Sequence, residues 1–378
     1  MSRPPIGPPR WADRFLEWFC HPDLLEEIQG DIHELFAIRE AERGLSAARR
    51  YFAWDVLRSF RLSTVKNLDL LISPDMLKMN ARIALRQMLK QKVFTFIKIG
   101  GFALGMAACL LISLYIKDEL AYDQHYEDGD RLFRMVSLNT NFPEAWAGHV
   151  FFPAPMAQAL LQDYPEIESA ARITPGGLFG GGANTLRRAD QQENFFEEGF
   201  LLADPELLDV LEIPIVRGAP EEALASPLSI VISARKAAQY FPGEDPIGKA
   251  LIINDQVDKP YVISGVMRNM PTQSHLAPID FLVTLTDVEF WQGEQQYWRA
   301  NNYHVYLRLH EDTDVAALKH KMLGLVDKYY LPSAIAEGVN APEKEVGEMT
   351  FELQSVGDIY LKSGGIMDLL PHGDIRFV

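Results

Sequence analysis

The sequence predicts a membrane-anchored, multi-domain chain: a small all-α cytoplasmic domain, one transmembrane helix, and an α/β (α+β) outer domain of two subdomains. Three observations carry this reading. Residues 94–116, FTFIKIGGFALGMAACLLISLYI, are the one long apolar run, and Lys98 is their only charge. The segment before them has apolar residues at helical spacing, and the segment after them alternates short strand and helix signals. As a helix, the apolar run reaches about 35 Å, enough to cross a hydrocarbon core of about 30 Å.

Charge orients the span. Met76 to Lys98 holds Lys78, Arg82, Arg86, Lys90, Lys92 and Lys98 with no acid, whereas Lys117 to Asp130 holds six acids against one lysine. Basic flanks stay in the cytoplasm, which puts the N-terminus inside and residues 117–378 outside. The formal charge of −16 therefore averages a net +4 over residues 1–116 and a net −20 beyond them. So acidic an outer region argues against nucleic acid as a partner. Position argues against a cleaved signal peptide, because the apolar run starts after 93 residues. Cys20 falls inside and Cys109 within the span, so they do not pair, and the outer region has no cysteine.

Residues 1–10, MSRPPIGPPR, read as disordered, and residues 11–70 as a helical domain. Trp11–Cys20 carries Trp11, Phe15, Trp18 and Phe19 at helical spacing. Pro22 suits a first helical position, followed by the stripe Leu24, Leu25, Ile28, Ile32, Leu35 and Phe36. Gly44 reads as the end of that helix and Ser46 as the N-cap of a third, running to about Leu68. His21 and His33 have no ligand cluster around them and read as surface histidines.

Residues 76–92 form a basic amphipathic helix, with Met76, Met79, Ile83, Leu85 and Leu89 apolar between cations. A bundle helix would share this pattern, but its place just ahead of the span favours a helix lying in the inner membrane surface. Within residues 94–116, Gly101, Gly105, Cys109 and Ser113 recur every four residues, and Gly101 to Gly105 is a GxxxG. Such a small-residue ridge predicts close packing against another helix in lipid.

In the outer region, Pro155–Tyr164 and Ala234–Phe241 read as helices, and Val315–Tyr330 as the longest one. Ser229–Ile232, Leu251–Ile253, Tyr261–Met267, Asp280–Thr284, Tyr303–Leu309 and Thr350–Ser355 read as strands of mixed short sheets. Gly176–Gly182 and Ser333–Val346 read as flexible loops.

Gly243-Glu-Asp-Pro-Ile-Gly248-Lys249 matches most of a phosphate-binding loop, but Ala250 replaces the Mg²⁺-binding hydroxyl. The segment also leaves a helix for a strand, the reverse of the required context. Two carboxylates would face the phosphates, and Pro246 removes a donor. It reads as a turn. There is no HExxH, CxxC, GxSxG or GxGxxG, and the outer histidines lie singly, so the sequence offers no catalytic residues, no cofactor site and no metal site of its own.

The order of a basic interfacial helix, a span with Gly-Gly, and DELAYDQHYEDGDRLFRMV resembles the MacB/FtsX-type permeases of bacterial ABC transporters. The resemblance continues through Ala203-Asp204-Pro205, Leu228–Ser233, Tyr240–Lys249, Val262–Met267, Pro271 and Ser274-His275-Leu276. It covers residues 76–378, while Leu25–Asp31 resembles a permease prefix domain. The resemblance implies that residues 117–378 are a MacB-like periplasmic core domain anchored in a bacterial inner membrane. It also implies that the EDPIGK stretch is a structural turn. Gly373–Val378 resembles the approach to a second span, so the expectation is a chain that stops before the later spans.

What the resemblance implies about function is a non-catalytic permease subunit, or its N-terminal part. A separate cytoplasmic ATPase binds the ATP, a second permease copy or homologue completes a dimer, and a periplasmic or outer-membrane protein is a possible further partner. Asn80, Arg82, Arg86 and Lys90 lie on the helix that such permeases use to meet the ATPase. Three other readings stand beside this: an FtsX-like scaffold controlling a periplasmic cell-wall hydrolase, a truncated non-transporting fragment, and an anchored periplasmic enzyme.

Overall fold

The computed structural model describes residues 7–60, 74–139, 148–174, 182–346 and 348–378. They fall into two compact units, Met1–Ala108 and Cys109–Val378.

The first unit begins with α1 (Arg10–Phe19), α2 (Pro22–Arg43) and α3 (Leu45–Arg58). Ala12, Leu16 and Phe19 recur at the 3- and 4-residue spacing that puts them on one stripe of α1. They meet Ile32 and Phe36 of α2 and Ala48, Phe52 and Val56 of α3 in a small buried core. Leu35, expected in the α2 stripe, is exposed instead. Gly44, at φ 78°, closes α2 and starts α3 directly, so Ser46 is not the cap. Of the segment expected to be disordered, residues 1–6 lie outside the described residues, while α1 includes Arg10 and the Gly7 carbonyl accepts from Arg49 Nε at 3.0 Å. The expected continuation of the third helix beyond residue 60 lies outside the described residues.

Next come α4 (Pro74–Lys90) and α5 (Lys92–Glu119). The 28 residues of α5 are long and apolar enough to cross a membrane, and none of them is buried within the chain.

Among the described residues, the second unit carries thirteen strands in one hydrogen-bonded network: β1 (Leu132–Asn139), β2 (Gly148–His149), β3 (Ile167–Thr174), β4 (Gly182–Arg188), β5 (Phe195–Ala203), β6 (Ile215–Arg217), β7 (Ser229–Ser233), β8 (Ala250–Ile253), β9 (Tyr261–Met267), β10 (Phe281–Thr284), β11 (His304–Leu309), β12 (Met349–Ser355) and β13 (Ile366–Met367). The path β10-β7-β9-β8-β4-β5 closes on itself, because β5 also pairs in parallel with β10. Phe200, Ile230, Leu251, Ile263 and Phe281 fill this ring. Beyond it, β3-β11-β1-β12 forms an open antiparallel sheet with β2 and β13 at its margin. Along β11, Val305, Leu307 and Leu309 enter one core and Tyr306 the other, as period-two alternation requires. The ring and the open sheet are joined where β3 pairs with β5, so one hydrogen-bonded network runs through both.

Helices pack on this frame: α6 (Met156–Asp163), α7 (Leu207–Val210), α8 (Ala234–Tyr240), α9 (Val315–Met322), α10 (Leu331–Ala336), α11 (Pro342–Val346) and α12 (Ile359–Lys362). The long helix expected over Val315–Tyr330 is interrupted at Leu323, passes into a π-helix at Val326–Tyr330, and continues into α10. The loop expected over Ser333–Val346 is thus largely helical, with Ala334 and Val346 buried. The loop expected at Gly176–Gly182 lies outside the described residues apart from Gly182, which opens β4.

Candidate functional site

Two of the groups singled out in the sequence lie on α4 and α5. Asn80, Arg82, Arg86 and Lys90 are exposed on α4. The break between the helices is a single residue, Gln91, and the Thr95 hydroxyl reaches back across it to the Met88 carbonyl at 3.1 Å. Gly101, Gly105, Cys109 and Ser113 are exposed along α5. An added Cβ at either glycine meets nothing within 4 Å, and the Ser113 hydroxyl donates to the Cys109 carbonyl at 2.8 Å. These groups form an open helix surface, and no side chain within the chain covers it among the described residues.

The third group was not legible as a site. Where α5 leaves its last turn, the chain is fastened to the sheet through a buried polar cluster. Gln273 Nε2 donates to Asp118 at 2.7 Å, and the Gln273 carbonyl accepts from Asp123 N at 2.9 Å. Asp123 sits at φ 55°, a left-handed conformation that only a short polar side chain adopts readily. Its carboxylate accepts from His275 N at 3.1 Å and from His275 Nδ1 at 2.8 Å. His275 Nε2 faces the Tyr306 hydroxyl at 3.0 Å. Both side chains of the Asp123–His275 pair have 0% exposure. Burial pushes the Tyr126 and Tyr306 hydroxyls well above the ordinary tyrosine range. An Asp-His-Tyr chain could serve proton transfer in an open cleft, but here the Asp123 and His275 side chains are fully enclosed. Its physical effect is to fix the exit of α5 to β11, since breaking one member leaves its partners buried and unpaired.

Around this core the same segment is tied at further points. The Glu212 carboxylate accepts from Glu127 N at 2.8 Å, from Asp128 N at 3.1 Å and from Arg308 at 3.3 Å. Tyr122 stacks on Tyr360 with ring centroids 3.4 Å apart. The Tyr360 carbonyl in turn accepts from Gly373 N at 2.9 Å.

A second buried cluster adjoins the first through Tyr306. Arg134 of β1 donates to Asp368, to Gln354 at 2.7 Å and to Ser363 at 3.1 Å. Burial pushes the Asp368 carboxyl up, but Arg134 outweighs it and holds the group below the usual carboxylate range. His304 lies 3.9 Å from Asp368, fully buried, and neither of its ring nitrogens has a hydrogen-bond partner. Burial pulls its pKa down to about 3.

One signal for the first cluster was present in the sequence. Asp123 and His275 lie 152 residues apart, each inside a segment that carries the family resemblance, DELAYDQHYEDGDRL and Ser274-His275-Leu276. What the sequence lacked was their pairing.

The GEDPIGK segment is a turn. Gly243 and Gly248 have φ 76° and 77°, Gly248 N donates to the Ile263 carbonyl at 2.8 Å, and Lys249 leads into β8. Lys249 lies 3.8 Å from Glu244, within the turn itself. Among the described residues, no group of three or more His, Cys, Asp or Glu side chains is placed to hold a metal ion.

The profile of the MacB-like periplasmic core domain matches residues 95–325. The chain belongs to this family. It is a permease-type protein of the MacB/FtsX kind, and its outer region is the family's periplasmic domain. Among solved structures, a domain described as part of a permease protein from Porphyromonas gingivalis is 20% identical, with TM-score 0.48, covering 61% of this chain and 92% of that one. The periplasmic region of MacB from Actinobacillus actinomycetemcomitans is 14% identical, with TM-score 0.41, covering 61% and 91%. The extracellular domain of the ABC-type transporter YknZ from Gram-positive bacteria is 12% identical, with TM-score 0.35, covering 59% and 99%. No curated protein matches.

Proposed function

We propose that this chain is a non-catalytic permease component of an ABC-type transport system, carrying motion from a separate cytoplasmic ATPase to a periplasmic domain. The observation that carries this reading is the join between α5 and the sheet. A helix fit to cross a membrane continues without a break to Glu119, and within a few residues its chain is locked to β11 by the buried Asp123–His275–Tyr306 cluster. A displacement of α5 would therefore move the sheet instead of bending a linker, which suits a two-state element worked from a distance. On the cytoplasmic side, α4 with Asn80, Arg82, Arg86 and Lys90 is the surface offered to the ATPase. The ridge Gly101, Gly105, Cys109 and Ser113 is the surface offered to a second copy or homologue. ATP is bound by the partner, and the membrane is the bacterial inner membrane with the N-terminus inside.

The test is to express the tagged chain with the products of its neighbouring genes and isolate it in detergent. The expected result is a co-purifying ATPase whose turnover changes when the chain is present. His275→Ala is expected to keep the ATPase bound while abolishing that change. Recovery of the chain without any ATPase would overturn the reading.

A further inference from the structure

The N-terminal bundle presents a face that its own fold does not use. Trp11, Phe15 and Trp18 recur along α1 at i, i+4 and i+7, beside the stripe that enters the core. Trp11 and Trp18 are 58% and 72% exposed, and Leu57 and Phe60 at the end of α3 are 50% and 53% exposed. Ring contacts run along α1 and on to a residue just past α3: Phe15 lies 5.9 Å from Trp18 and 6.2 Å from Phe60. So much exposed aromatic surface on so small a bundle marks an interaction site.

Charge on the bundle is segregated. The α2 helix has seven acids against two arginines, whereas α1 and α3 together have five arginines against three acids. Two of those three acids turn toward α2, Asp13 to His33 at 2.8 Å and Asp55 to Arg39. The aromatic side of the bundle is thus cationic and the opposite side anionic. Tryptophan with arginine is the composition that settles at the headgroup level of a bilayer, where the ring is half in hydrocarbon and the guanidinium meets phosphate. The tether fits as well. Residues 61–73 separate the bundle from α4 and reach at most about 45 Å when fully extended, so the bundle is held near the surface that α5 enters.

We infer that the α1/α3 aromatic face docks on the cytoplasmic membrane surface, with anionic phospholipid headgroups as its ligand and Arg14 beside the tryptophans as a phosphate contact. The inference rests on α5 spanning the membrane, and the test separates the two.

Nitroxide labels are placed in the full chain at Trp18→Cys, at Glu26→Cys on α2 and at Leu104→Cys on α5, in a Cys20→Ala, Cys109→Ala background. The chain is then put into nanodiscs of equal parts phosphatidylglycerol and phosphatidylcholine. The expected result is that the label at 18, like that at 104, collides more with oxygen than with a water-soluble nickel chelate, while the label at 26 does the reverse. In discs of phosphatidylcholine alone, the label at 18 should move toward water. A label at 18 as wet as that at 26, with 104 still in lipid, overturns the docking and leaves the span intact. A label at 18 shielded from both reagents means a protein covers the face, which also overturns it. A wet label at 104 refutes the span reading itself. The natural chain supplies a check free of the cysteine changes: brominated phosphatidylglycerol should quench its tryptophan fluorescence more than that of the Trp11→Phe, Trp18→Phe variant. Equal quenching refutes the docking.

Discussion

Acidification should weaken the outer domain through His304. The ring is fully buried with both nitrogens unpartnered, and Asp368, 3.9 Å away, is already neutralised by Arg134. A proton on His304 would place a second cation beside Arg134 without a counter-ion of its own, which agrees with a folded pKa of about 3. An unfolded histidine titrates near 6.5. Between those values the unfolded chain binds a proton that the folded chain refuses. The contribution to stability is therefore full above pH 6.5 and is lost as the pH falls toward 3. The slope is roughly 1.4 kcal/mol per pH unit, so lowering the pH from 6.5 to 5 costs about 2 kcal/mol. Replacing His304 by leucine removes the titrating group and two unsatisfied nitrogens, so the variant should match or exceed the natural protein at pH 7. In thermal melts of the full chain in detergent, its advantage should grow by about 4–8 °C between pH 6.5 and 5, at about 2–4 °C per kcal/mol for a domain of this size. Carboxylates protonate over the same range in both proteins and cancel in the difference. Parallel pH profiles of the two proteins would refute the reasoning.

Two further outcomes follow from the backbone and the span. Gly199 in β5 has φ +81°, and a Cβ there would lie 2.2 Å from the Pro278 carbonyl oxygen. Gly199→Ala should lose on the order of 2 kcal/mol from the left-handed backbone alone, and an unchanged melting temperature would contradict the close approach. On α5, a side chain at Gly105 meets nothing within the chain. Gly105→Leu should thus leave the melting behaviour unchanged while reducing oxidative cross-linking through Cys109 between copies in membranes. Equal cross-linking in both proteins would argue against a second copy on that ridge.

Legibility differed along the chain for physical reasons. Strands such as Ser229–Ser233 and Tyr261–Met267 are short β-branched runs bounded by turn residues, and their local chemistry suffices to place them. The strands that were missed hide their pattern. In β1 nearly every residue is buried, including Arg134, Ser137 and Asn139, so polar and apolar residues do not alternate. In β4, Asn184, Arg187 and Arg188 are buried polar residues that read locally as loop. The Ser333–Val346 segment looks like loop because Pro342 and Gly338 punctuate it, yet Pro342 simply opens a helix. The buried cluster at the end of α5 was out of reach for a different reason. Each member is ordinary by itself, and its role comes only from the pairing of distant segments that the sheet topology brings together.

The stacking of Tyr122 on Tyr360 closes a long loop of chain at its neck. The chain from Tyr122 to Tyr360 thus begins and ends at one point just past the last turn of α5. The neck is two aromatic rings with Gly373 laid against one of them, where an added Cβ would lie 2.9 Å from the Tyr360 ring. Residues inserted at a surface turn between the two rings leave that closure in place, whereas removing either ring opens it.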